Sequence, residues 1–193
     1  MDAQSLSYNT DNSLNSRETD TTNNSISLSF ENQFVITPTL KNHIISAIAA
    51  NLNEIIEENH KKFGNVSKDN IFYLDKLPPI SLENYLFHLV KYTNMNISSL
   101  ILSVIYIDQF CEKYKYILSL NNIYRLILVF VFISLKYNED IMVNANTYSN
   151  IAGVFVNDLK TLEYEMCKAL DFNFFVKSEN YQQYFVYFCK YSP

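Results

Sequence analysis

Catalysis and metal binding need nucleophiles, ligands or titratable groups gathered at usable spacing, and here the candidates are few. His43, His60 and His88 lie in separate segments, without the short spacings of a ligand set. They are expected to be ordinary residues on helical faces. Cys111, Cys167 and Cys189 are odd in number and embedded in apolar helical patterns. That reads as reduced, buried thiols of an intracellular protein, neither disulfides nor a metal site. With 2 Gly in 193 residues, the chain has nothing from which to build a phosphate-cradling loop. P-loop, dinucleotide and kinase glycine-rich-loop chemistry is therefore excluded. No metal, no cofactor and no catalytic residue is expected.

Two charges stand out for their surroundings. Asp108 and Arg125 each interrupt an otherwise apolar helical stretch, and a charge buried there needs a partner. The two stretches are joined by a short break and should run antiparallel. Asp108 before the break and Arg125 after it fall at about the same height, so a structural ion pair between them is expected.

Around these residues the chain is organised by the stretch Asn121–Tyr137, in which only Tyr124, Arg125 and Ser134 carry polar atoms between Ile123 and Leu135. A helix apolar all round must be enclosed by other helices or by lipid. Lipid is disfavoured because a span needs about 20 apolar residues and Arg125 breaks this run near its start. It reads as the central helix of an all-α domain, with no membrane partner. The formal charge of −5 and the lack of a basic cluster argue against nucleic acid. The 15 Tyr and 14 Phe then belong to core and interfaces, not base stacking. The first 30 residues show no secretory pattern.

In chain order, residues 1–37 are rich in Ser, Thr, Asn and Asp and read as a disordered tail. Residues 38–61 form an N-terminal amphipathic helix carrying Leu40, Ile44, Ile48 and Leu52, with Thr39 as its cap. Residues 62–77 are a linker that Pro78-Pro79 closes. Ser81 caps a helix to about Tyr92 with Leu82, Tyr85, Leu86 and Leu89 on one face. A second runs from Ile97 to about Lys115, and the central helix follows. A short helix spans Asn144–Ala152, stopped by Gly153. A fifth covers Val156–Leu170, and a last one covers Ser178 to about Tyr191.

Six segments in this order, Pro78–Tyr92, Ile105–Asp108, Tyr124–Leu126, Leu135–Asp140, Asn144–Gly153 and Leu159–Phe172, resemble the cyclin box, and most specifically that of the P-type or U-type cyclins, the phosphate-signalling branch. The resemblance implies a single five-helix box over residues 78–191, with an added N-terminal and C-terminal helix. Tyr124 stands where the family usually has histidine, and Phe155 where a capping serine is usual. The family's kinase-holding lysine and glutamate match Lys136, at the end of the third box helix, and Glu163, in the fifth. The Leu82, Leu86, Leu89 face matches a substrate-docking position of some cyclins, although core packing is the expected reading.

The function so implied is that of a non-catalytic regulatory subunit, intracellular in nucleus or cytoplasm, whose partner is a cyclin-dependent protein kinase. Cell-cycle or nutrient-signalling control follows from it. The rival reading is a cyclin-fold scaffold in transcription that activates no kinase; the acidic balance and the matching Lys136 and Glu163 speak against it.

Overall fold

The computed structural model describes residues 36–64, 70–140 and 143–191. Among them the regular elements are helices alone: α1 (Pro38–Phe63), α2 (Leu82–Thr93), α3 (Ile97–Tyr114), α4 (Leu120–Asn138), α5 (Ala145–Ala152), α6 (Val156–Ala169) and α7 (Ser178–Lys190). The expected tail, apart from Ile36 and Thr37, lies outside the described residues.

α4 is the axle. From Asn122 to Leu135 every residue except Arg125 is buried. By length and composition α4 could cross a membrane; here the other helices enclose it, α3 and α6 most directly. Its start is set by Asn122, whose Oδ1 accepts the Ser119 N–H at 2.9 Å while its Nδ2 donates to the Ile117 carbonyl at 2.9 Å. Ser134 donates across to the Ser99 carbonyl of α3 at 2.6 Å. Buried side-chain hydroxyls elsewhere reach carbonyls in the same way, Tyr148 to Leu128 at 2.6 Å and Tyr85 to Ala152 at 3.2 Å. Each such bond satisfies a polar group that burial would otherwise penalise.

The cap of α1 is Thr37, not the expected Thr39. Its Oγ1 accepts the Leu40 N–H at 3.1 Å, and Pro38 opens the first turn. Proline suits that position because its fixed φ is helical and its missing N–H is not needed there. Ser81 and Asn144 cap α2 and α5, accepting from Asn84 at 3.2 Å and Thr147 at 2.9 Å. Gly153 ends α5 at φ 74, a left-handed conformation that glycine adopts without strain.

α1 is less an appendage than a wall of the core. Ile44, Ile45, Ile48, Leu52 and Ile56 are buried, Asn51 donates to the Tyr187 hydroxyl of α7 at 3.1 Å, and Asn59 to the Leu118 carbonyl at 3.1 Å. Of the segment expected as linker, residues 65–69 lie outside the described residues, and residues 70–77 are fastened down. Phe72 is buried edge-on to Phe110 and Tyr116. Leu74 N–H donates to the Asn121 carbonyl, and Asn121 Nδ2 returns a bond to the Leu74 carbonyl, both at 2.7 Å. Tyr124 donates to the Ile80 carbonyl at 2.7 Å. An irregular strap packed on a core must find donors for its carbonyls, and the first turns of α4 supply them.

Glu139, just past the end of α4, caps a second helix. Its carboxylate accepts the Asn96 N–H at 2.9 Å, Asn96 Nδ2 at 2.6 Å and the Ser99 hydroxyl at 2.6 Å, all at the start of α3. A carboxylate there suits both the unpaired N–H groups and the positive end of the helix dipole.

Candidate functional site

The last turn of α4 lies against the middle of α6, and the contact is ionic. Leu159, Leu162 and Met166 turn the inner face of α6 into the core, leaving Glu163 half-buried at its border. Lys136 reaches it from α4: Nζ and Glu163 Oε1 are 2.5 Å apart, with the side chains 40% and 19% exposed. The same ammonium sits 5.3 Å above the ring of Phe132, one turn back in α4, a geometry in which the ring's electron-rich face adds attraction. The two expected site residues, 27 positions apart, are thus brought together as partners of one another.

Exposed aromatic residues follow the pair in sequence, and sequence reasoning missed them. Tyr137 and Tyr164 follow Lys136 and Glu163 directly and are exposed. Beyond α6 the chain enters a bend in which Asp171 and Phe172 take φ values of 52 and 55. For a bulky L-residue this left-handed conformation costs on the order of 1–2 kcal/mol. The bend is braced from several sides. Phe172 N–H donates to the Cys167 carbonyl at 2.8 Å, and Lys113 holds both the Asp171 carboxylate at 2.6 Å and the Ala169 carbonyl at 2.7 Å. Tyr114 donates to that same carbonyl at 2.9 Å.

The result is that Phe172 and Phe175 point outward, 65% and 69% exposed, while Phe174 between them is buried against Tyr106 and Tyr137. Strain held to display an aromatic ring to solvent is a mark of a binding surface. The signal was present in the run Asp-Phe-Asn-Phe-Phe (171–175), more phenylalanine than one short turn can bury.

Cys167, on the helical turn after Glu163, is half-buried. Burial pushes its thiol up, Glu163 adds to the rise and Lys136 offsets part of it. A thiol so placed stays protonated and is a poor nucleophile.

Asp108 and Arg125 do not form the expected pair. The ion pairs among the described residues are Lys136–Glu163 and Lys113–Asp171. Asp108 accepts the Tyr184 hydroxyl of α7 at 2.6 Å, and Arg125 donates to the Ile71 carbonyl of the strap. Matching heights on antiparallel helices fix the axial coordinate only. Rotation about each axis turns Asp108 toward α7 and Arg125 toward the strap.

The face of α2 that matches a docking position is buried, as core packing requires. Leu82, Leu86 and Leu89 are 3%, 0% and 0% exposed, so these side chains are core and offer a partner nothing. His43 and His60 are exposed, and His88 pairs Nε2 with the Ile151 carbonyl at 2.8 Å. Among the described residues no three His, Cys, Asp or Glu side chains gather as a metal site.

The family model described as Cyclin matches residues 4–174. The chain is 25% identical over 145 residues to Cyclin-U2-1 of Arabidopsis thaliana, covering 73% of this chain and 65% of that protein. It is 29% identical over 148 residues to Cyclin-U1-1 of the same plant, covering 76% and 69%. To Cyclin-P3-1 of Oryza sativa subsp. japonica it is 24% identical over 144 residues, covering 73% and 61%. The aligned stretch thus spans between three fifths and seven tenths of each relative's own length.

Proposed function

The chain belongs to the cyclin family, in its U/P-type branch, and from that premise we propose that it binds and activates a cyclin-dependent protein kinase through the face made by the end of α4, α6 and the bend after it. The observation that carries the reading is the Lys136–Glu163 pair joining α4 to α6, on elements that also expose Tyr137 and Tyr164 and lead into the bend that exposes Phe172 and Phe175. Charges and exposed aromatic rings are what a specific interface uses, the charges for orientation and the rings for burial.

In this reading the kinase lays its mobile αC helix across α4 and α6. The contact holds that helix where its glutamate pairs with the ATP-positioning lysine, and it helps order the activation loop. The cyclin supplies no catalytic group. It binds the active arrangement better than the inactive one, and the population shifts by that difference in affinity. ATP, Mg²⁺ and the phosphoryl transfer belong to the partner.

The test is co-purification of the full chain with cyclin-dependent kinases of the same cell, followed by peptide phosphorylation with and without it. Stable capture of one kinase and a rise in its activity are the expected results. Capture without activation would leave a scaffold, and absence of capture would remove the reading.

A further inference from the structure

The bend after α6 is fixed from outside, by one stripe of α3. Tyr106, Phe110, Lys113 and Tyr114 recur at helical spacing, which puts them on one face of that helix. Three of them reach the bend. Tyr106, buried, donates its hydroxyl to the Phe174 carbonyl at 3.0 Å. Lys113 Nζ donates to the Ala169 carbonyl at 2.7 Å and to the Asp171 carboxylate at 2.6 Å. The Tyr114 hydroxyl donates to the same Ala169 carbonyl at 2.9 Å. Phe110 stands between them in the stripe, its ring 5.2 Å from that of Tyr114.

These bonds replace a turn of helix. Were α6 to continue, the Asn173 N–H would fill the Ala169 carbonyl. It donates instead to the Leu170 carbonyl at 2.9 Å, and the Phe172 N–H to the Cys167 carbonyl at 2.8 Å. α3 thus fills the acceptor that the end of α6 leaves open, and does so with a cation where the helix dipole is negative. Two consecutive residues then sit in the left-handed region, Asp171 at φ 52 and Phe172 at φ 55. Aspartate tolerates that conformation because its short side chain bonds locally; phenylalanine has no such means. The conformation therefore persists only where its surroundings over-determine it.

We propose that Lys113 is a positioning residue for the kinase-docking face: it holds the bend in the conformation that presents Phe172, and acts on the kinase only through that ring. The inference rests on the docking reading given above. Tyr106 makes its bond from the core, whereas Lys113 makes both of its own from the surface, 41% exposed beside an Asp171 side chain 79% exposed. Lys113 can therefore be altered without opening the core. A bend already set in the free protein spares the complex the entropy of ordering it, and the saving appears as affinity.

Lys113→Met keeps the aliphatic stem and removes both bonds. Its melting temperature should stay close to that of the unaltered chain, because an exposed ion pair adds little to folding. Kinase binding, read by calorimetric titration, should weaken by about tenfold, within the range for residues that act as one unit. In a Phe172→Ala background the same substitution should cost nothing further. A trifluoromethylphenylalanine at position 172 of the full chain reads the bend without the kinase. One sharp fluorine resonance is expected, shifted or broadened by Lys113→Met and retained in Lys113→Arg, whose guanidinium can make the same two bonds. Full-strength binding by Lys113→Met, or a fluorine resonance indifferent to it, would each overturn the proposal. So would an equal loss in the Phe172→Ala background, which would make Lys113 a kinase contact in its own right. Failure of the unaltered chain to bind any kinase would strike the docking reading, and the fluorine resonance would still decide whether Lys113 sets the bend.

Discussion

Lys136 Nζ and Glu163 Oε1 lie 2.5 Å apart and join the end of α4 to the middle of α6. Each neutralises the other in the free protein, so a partner helix proposed to dock there would meet a preformed dipole with fixed direction. A partly exposed pair of this kind is worth about 0–1 kcal/mol to folding. The same charges desolvated under a partner can cost about 2–5 kcal/mol when one is removed.

Lys136→Ala and Glu163→Ala are therefore expected to hold the melting temperature nearly constant and to weaken kinase binding by roughly 30- to 4,000-fold. The exchanged double variant, Lys136→Glu with Glu163→Lys, separates the two roles. It keeps the intramolecular pair and reverses its direction, so it should fold normally and still fail to bind. Calorimetric titration with the purified kinase reads the outcome; wild-type affinity in the exchanged variant would remove orientation from the argument.

Phe172 offers an opposite pair of effects in one substitution. Phe172→Gly relieves the left-handed strain and should raise stability by about 1 kcal/mol. Losing the ring should cost the interface about 2 kcal/mol, the lower edge of a hot spot. A thermal melt and a binding isotherm on the same sample check both signs. A lowered melting temperature would mean that the ring supports the fold and not the partner.

Asp108 and Arg125, lacking a mutual contact, should behave independently. Arg125→Ala is expected to cost about 1 kcal/mol for its bond to the strap, not the 3–5 kcal/mol of a broken buried ion pair. Combined with Asp108→Asn, the effects should add to within about 0.5 kcal/mol. Asp108→Ala and Tyr184→Phe, by contrast, should be non-additive because each removes the same shared bond. Urea unfolding of the two cycles distinguishes the cases.

Alkali should unfold the protein cooperatively. Burial raises the hydroxyls of Tyr85, Tyr106 and Tyr148 above their ordinary value of 10.0 and pushes Tyr116 up to about 12. A folded-state pKa raised above the unfolded one leaves stability intact below pH 10 and removes it as pH climbs toward 12. Each tyrosine that ionises only on unfolding contributes up to about 1.4 kcal/mol per pH unit. Tyrosinate absorbance and helical circular dichroism should change together; early ionisation of all tyrosines with the helices intact would contradict the burial.

Sequence alone determined the elements that local chemistry encodes. The unbroken apolar run 126–133 could only be an enclosed helix. Ser81, Asn144 and Gly153 marked helix ends because their side chains or their φ freedom act within one turn. Lys136 and Glu163 became candidates only through family resemblance, since a lone lysine and a lone glutamate carry no signal of their own. Thr37 was passed over for Thr39 within two residues, the scale on which helix ends are set by a single competing proline.

Tertiary structure decided what depends on rotation about helix axes and on segments distant in sequence. Periodicity places Asp108 and Arg125 on helices and at a height, yet the partner each finds depends on the azimuth at which α3, α4 and α7 pack. Leu82, Leu86 and Leu89 shared a face by spacing; only the packing of α2 against α1 shows that face to be core and not a groove. The strap at 70–81 had no periodicity to announce it, because backbone bonds to Asn121, Tyr124 and Arg125 hold it, and such bonds leave no pattern in side-chain type. The outward turn of Phe172 and Phe175 rests on a left-handed bend braced by Lys113 and Tyr114, residues more than fifty positions away. No local pattern can encode a conformation whose cost is borne by so distant a contact.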